Sequence, residues 1–162
     1  MGHCIHAIVA PRATAESISA VWPELPRLEL HNGFVVFPVD AESIDTRIAP
    51  DITPRTTGDE FMLLTDGFQR LLQAVSSGGC LAYIETEYFG VTGGQGALVY
   101  KNGIEVMPPT WRSFGSINDA LGRIGMEPSK NGDQFCAARF DTVRDNDGIL
   151  DLIAQQKTQP GG

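Results

Sequence analysis

Two carboxylates set two residues apart, Glu85 and Glu87 in Tyr83-Ile84-Glu85-Thr86-Glu87-Tyr88-Phe89-Gly90, have the types and spacing to do chemistry. On a strand they point to one face, roughly 6.5 to 7 Å apart along the backbone. A pair at that separation suits acid–base catalysis or a divalent cation. It equally suits a negative contact for a basic partner, or a solvated strand end. Leu81 and Tyr83 share the face, so part of it must be covered. Gly90-Val91-Thr92-Gly93-Gly94-Gln95-Gly96 follows. Successive amides of a glycine loop can cradle phosphate. This one lacks the Lys-Ser/Thr of a Walker loop and the dinucleotide spacing, and a strand follows it, so the pattern favours a flexible hairpin loop. Gln95 carries both donors and an acceptor there, fit to lock the loop or to read a partner backbone.

Soft ligands sit close together in His3, Cys4 and His6, and Cys4 and His6 share a strand face. A tetrahedral zinc site needs two more ligands, and the sequence has no second Cys/His cluster, only His31 elsewhere. A packed strand end is the better reading. Cys80 starts a strand without an identifiable His partner, and no GxSxG or HExxH motif occurs, so no catalytic residue, metal or cofactor is assigned.

The elements that must position these residues follow from hydrophobic spacing. Cys4 to Val9 suits an opening strand, and Thr14 can cap a short helix with the stripe Ile18, Val21, Trp22. Asn32-Gly33 predicts a type I′ hairpin between Leu28 and Phe37, and Asn102-Gly103 a second one between Ala97 and Met107. Residues 40–56 read as a long acidic surface loop. Thr57-Gly58-Asp59-Glu60 fits a capping box for a helix carrying Phe61, Leu64, Phe68, Leu71, Leu72 and Val75 on one face. Cys80 to Phe89 is a strand, Pro108-Pro109 breaks the sheet, and Ser116 caps a helix through Ile117, Leu121 and Ile124. Phe135 to Phe140 suits a last strand, and Asp147 caps a closing helix through Ile149 and Ile153. The expected fold is α+β, a single domain over 1–157 with a mainly antiparallel sheet of two hairpins packed by three to four helices, and a frayed tail at 158–162.

The whole chain has 162 residues, 42% of them apolar, with 18 Gly and 10 Pro. That composition excludes collagen, coiled coil and wholesale disorder. Twelve basic against twenty acidic residues give a net charge of -8. Such a surface repels nucleic-acid phosphates and anionic lipid headgroups and attracts basic partners, so neither nucleic acid nor membrane is expected as a ligand. No secretory leader or membrane span is read, and three widely spaced cysteines suit a reducing compartment, so a cytoplasmic address is expected.

Tyr88-Phe89-Gly90, Gln95 and the later Ser116-Ile117-Asn118-Asp119-Ala120-Leu121-Gly122-Arg123-Ile124-Gly125 carry a resemblance. The stretch from about 80 to 140 resembles a group of small bacterial cytosolic proteins. Their pattern runs Tyr-Phe-Gly-Gly, a glycine loop, Gln, then an Ile-Asn-x-Ala-Leu-x-x-Leu-Gly helix. Val91 stands here for the second Gly and Ile124 for the Leu. In size, acidity and lack of a catalytic motif the chain also resembles immunity proteins of interbacterial toxin systems. The resemblance implies a cytosolic binding protein that neutralises a secreted, basic toxin domain by direct contact. The expected contact surface combines Asp40, Glu42 and Asp45 with Glu85, Glu87, Tyr88, Phe89 and Gln95. The alternatives are a small enzyme using Glu85, Glu87 and the glycine loop on a polar substrate, and an interaction module in a homo-oligomer built on the 80–107 edge.

Overall fold

The computed structural model of the chain describes residues 2–47, 60–90 and 92–158. Seven strands form one antiparallel sheet: β1 (Gly2–His3), β2 (His6–Pro11), β3 (Leu28–Glu29), β4 (Phe34–Pro38), β5 (Cys80–Phe89), β6 (Thr92–Lys101) and β7 (Ile104–Arg112). The order across the sheet is β3-β4-β2-β5-β6-β7, and β1 continues the line of β2 along β5. Six helices cover it: α1 (Arg12–Val21), α2 (Ala41–Arg47), α3 (Asp66–Val75), α4 (Ser116–Arg123), α5 (Gln134–Ala137) and α6 (Asn146–Thr158). The α+β class is as expected, with two more helices than the sequence spacing suggests.

Period-two alternation along β5 divides the core. Leu81 and Tyr83 face a layer of Ile18, Trp22, Phe68 and Leu72 from α1 and α3. Ala82 and Ile84 face Ile117, Leu121, Phe140, Ile149 and Ile153 on the other side. Because β2, β4 and β5 are apolar on both faces, they occupy the sheet interior.

Several local expectations are corrected. The helix expected from Thr57 begins at Asp66, where Thr65 Oγ1 accepts the Phe68 N–H at 3.1 Å. Thr57, Gly58 and Asp59 lie outside the described residues, whereas Phe61 and Leu64 are buried in non-helical backbone. The acidic loop expected from residue 40 begins instead with α2, because the Asp40 carboxylate accepts both the Ser43 N–H and its hydroxyl at 2.7 Å. Thr14 sits inside α1 rather than capping it, and accepts the Cys80 N–H. Asp145, not Asp147, caps α6 by accepting the Gly148 N–H. The segment Phe135–Phe140 is not a strand: Asp133 accepts the Cys136 N–H, which starts α5, and a 3-10 turn follows at Phe140–Thr142.

Turn chemistry separates the two hairpins. Asn102 and Gly103 both take positive φ and join Lys101 to Ile104 in two residues, as a type I′ turn requires. At Asn32-Gly33 only Gly33 does, and the Leu30 N–H bonds the Phe34 carbonyl, so the loop has three residues, 31–33. Pro108-Pro109 does not break the sheet. Strand β7 lies at the edge, where a missing N–H costs no ladder bond, and a bulge between Met107 and Thr110 absorbs the two prolines.

Leu72 is fully buried among Trp22, Phe68 and the β5 face. Leu72→Ala is expected to cost about 2 to 5 kcal/mol in urea denaturation, since a buried leucine leaves a cavity. An unchanged unfolding midpoint would remove α3 from the core.

Candidate functional site

Strands β4 and β5 both run antiparallel to β2, so their C-termini lie at the end where β2 starts. The start of β6, the end of β7 and the start of α4 lie there too. Among the described residues six polar side chains are buried, and four of them, Glu85, Thr86, Gln95 and Ser116, belong to this one end. Buried polar groups are normally held by partners, as Glu85, Thr86 and Gln95 are. Ser116, expected to cap its helix, is instead the first residue of α4 after Gly115, and its hydroxyl has no hydrogen-bond partner among the described residues.

Glu85 is 1% exposed and is not part of any solvated face. Its carboxylate accepts the Met62 N–H at 2.6 Å, the Leu63 N–H at 3.0 Å and the Tyr83 hydroxyl at 2.7 Å. It fastens the segment before α3 onto the sheet, which puts it out of reach of a partner surface. Glu87, two residues on, is exposed, so the expected carboxylate pair is divided between an interior and an exterior role.

Of the glycines of 90–96, Gly90 lies in the turn between β5 and β6, as expected of a hairpin loop, but the others do not. Gly93, Gly94 and Gly96 lie within β6, paired with Tyr88, Glu87 and Glu85, in extended strand rather than a cradle of converging amides. Close approach explains them. A Cβ on Gly96 would lie 2.5 Å from the Phe61 ring, and one on Gly94 would lie 2.6 Å from Trp111 Nε1. Phe61 and Trp111 stack edge to face over this glycine track, with ring centres 5.5 Å apart.

Gln95, 8% exposed, projects to the opposite face. Its Oε1 accepts the Ile117 N–H at 2.8 Å, satisfying an amide in the first turn of α4. Its Nε2 donates to the Tyr88 hydroxyl at 3.1 Å, and that hydroxyl donates to the Ser113 carbonyl. Gln95 thus locks the structure rather than reading a partner. Beside it, His3 Nε2 donates to the Phe140 carbonyl at 3.2 Å, since a carbonyl can only accept, and Nδ1 shares a hydrogen bond with the Thr86 hydroxyl at 2.7 Å. Thr86 in turn accepts the Ile5 N–H at 2.9 Å.

These fixed groups wall a cleft of about 380 Å3 whose lining includes His3, Tyr88, Phe114, Asp133, Phe135 and Asp141. Asn118 of α4 clamps its far wall: Oδ1 accepts the Phe135 N–H and Nδ2 donates to Asp133 Oδ2. That Asn118 amide, followed by the Cys136 N–H, holds the Asp133 carboxyl below the ordinary carboxylate range. Phe89 and Phe114 remain 80% and 77% exposed at this end. Sequence reasoning reached Tyr88, Phe89 and Gln95 but missed Phe114, Asp133, Phe135 and Asp141. A lone phenylalanine between Arg112-Ser113 and Gly115-Ser116 was the available signal for Phe114. Asp40, Glu42 and Asp45 are exposed on the segment leaving β4 at the same end.

Around Cys4 the chemistry is unreactive. Burial first, then Glu87, Glu85 and Asp145, raise the Cys4 thiol above its ordinary value, and burial lowers His6 despite the same two glutamates. The Cys4 sulfur and His6 Nε2 lie 3.9 Å apart, but among the described residues no group of three or more His, Cys, Asp or Glu could hold a metal ion. Nor is any described helix long and apolar enough to cross a membrane.

Glu85→Ala is expected to destabilise the fold by about 3 kcal/mol, because two backbone amides and a buried hydroxyl lose a charged acceptor. Chemical denaturation measures it, and a neutral result would contradict the anchoring role. For His6 the sign follows from its lowered folded value: below 6.5 the unfolded chain binds more protons, so stability falls as pH drops from 6.5 towards the folded value. His6→Gln should flatten that part of the stability–pH profile, and an unaltered slope would show that His6 is not its source. Compared with known proteins, the chain matches no family model, no curated protein and no solved structure.

Proposed function

We propose that this chain is an acidic binding protein that grips a basic partner protein with the cleft end of its sheet, in the manner of an immunity protein neutralising a secreted toxin in the cytoplasm. The observation that carries the reading is the pair of exposed rings, Phe89 and Phe114, at that end. Monomeric surfaces rarely leave two large aromatics in water side by side with a concavity, and aromatic anchors in pockets are what interface centres use. Exposed carboxylates at the same end, Glu87, Asp133 and Asp141 with Asp40, Glu42 and Asp45 on α2 and its cap, supply charge complementary to a basic surface. Charge of that kind contributes association rate and specificity, while the rings contribute affinity. Glu85, the carboxylate whose position suggested acid–base work, is committed to Met62, Leu63 and Tyr83, which weighs against the enzyme reading. Association of identical copies through β7 has one supporting observation, the exposure of Ile104 and Val106 on that edge. The adjacent Pro108-Pro109 limits such pairing to a few residues.

The test uses the protein encoded by the reading frame adjoining this chain's own. Titrated calorimetrically, it is expected to bind, and Phe89→Ser should weaken binding by about 2 kcal/mol, roughly 30-fold, as loss of an anchor does. Glu87→Lys should slow association several-fold at low salt, on the order of what reversal at a charged rim produces, with stability unchanged. No binding, or an affinity indifferent to Phe89, contradicts the reading. Concentration-dependent dimerisation abolished by Ile104→Lys would favour the β7 edge instead.

A further inference from the structure

We infer that the cleft between the β5–β6 end and α5 receives an arginine side chain of the partner. The inference rests on the partner-binding reading and names what the centre of that surface recognises. The space, about 380 Å3, admits a guanidinium with its alkyl stem. Rings of His3, Tyr88, Phe114 and Phe135 line it, with His3 centred 5.7 Å from Phe135 and 6.4 Å from Tyr88. The carboxylates of Asp133 and Asp141 line it too. Neither forms an ion pair with a described residue, and Arg112 and Arg123 both pair with Asp119.

The cleft therefore combines ring faces with two carboxylates that form no ion pair with a described residue, and that selects its occupant. An anion would meet both carboxylates. An uncharged apolar side chain would cover them without bonding them, at a desolvation cost. A planar guanidinium satisfies both features at once, stacking on aromatic faces while its fork of donors meets carboxylate oxygens. Asp133 retains acceptor capacity for it. Each of its oxygens accepts one hydrogen bond, from the Cys136 N–H and the Asn118 amide, and a carboxylate offers about four such sites. Lysine offers a point charge without the planar fork.

The test titrates the isotopically labelled full chain with N-acetyl-arginine methylamide, with the citrulline and lysine analogues as probes of charge and shape. Arginine is expected to shift the Tyr88, Gly115, Asn118 and Asp133 amide resonances saturably, with a dissociation constant on the order of millimolar. Asp141→Asn and Phe114→Ala change exposed residues, and each should weaken it about fivefold or more, as loss of a charge-assisted bond or a stacking face does. Citrulline should not saturate, and lysine should bind more weakly. Equal binding of citrulline or lysine overturns the assignment, as do arginine shifts indifferent to both substitutions or confined to the separate cavity lined by Arg12 and Arg139. If the arginine probe fails while the adjoining-frame protein still binds through Phe89, this inference falls and the partner-binding reading stands. If the probe binds the cleft while that protein does not bind, the reverse holds.

Discussion

One carboxamide, that of Gln95, joins the sheet to its helical cover at the cleft end of the molecule. It reaches an α4 amide with its oxygen and the Tyr88 hydroxyl with its nitrogen, and Tyr88 in turn holds the Ser113 carbonyl where β7 gives way to α4. Three chain segments, β5, β6 and the β7–α4 connection, thereby share one hydrogen-bonded chain. Such linked bonds are stronger in a dry interior and expensive to leave half made. These bonds tie both walls of the cleft to the fold. Its near wall, Tyr88, is fixed at both the ring and the hydroxyl, and its far wall is fixed by Asn118, one residue beyond the amide that Gln95 satisfies.

The opposite face of the same strands is held by a different device. Glu85 draws the 61–64 backbone onto the sheet, which seats Phe61 and Trp111 over the glycines of β6. Glycine at 93, 94 and 96 weakens a strand on its own. At 94 and 96 it opens room for two aromatic rings, and at 93 it takes a positive φ against the Glu87–Tyr88 backbone. The end of the sheet that carries the exposed rings thus has a firm polar and aromatic foundation on both faces, the arrangement that keeps a recognition surface in one shape before a partner arrives.

Legibility from sequence followed the range of the interactions. Asn102-Gly103 was readable because both residues supply the φ angles locally, as were the opening strand, β5 and the Phe68–Val75 part of the expected helical stripe, but not its Phe61 and Leu64. The glycine track read as a loop because its reason, Phe61 and Trp111, lies 35 and 15 residues away from Gly96. Pro108-Pro109 read as a break because edge position is a property of the whole sheet. Glu85 read as a surface charge because its main partners are backbone amides, which carry no side-chain signature. The acid cap Asp133 and the ring of Phe135 lay in a segment whose apolar run suited a strand, and only the cap hydrogen bond turns it into a helix. Tyr88, Phe89, Gln95 and Asn118, noticed as a pattern, do meet in space: all but Phe89 line the cleft, and Phe89 stands exposed beside it.

The exposed rings and the cleft share one end of this acidic chain, and the proposed partner-binding reading places the contact there. The most direct measurement is hydrogen–deuterium exchange of the full chain, free and saturated with the protein encoded by the adjoining reading frame. The account predicts added protection in residues 86–90 and 113–118 and around Asp133 to Asp141, with α1 and α3 unchanged. Protection confined to α1, α3 or the Arg12 and Arg139 cavity, with the cleft end exchanging as in the free protein, would contradict it.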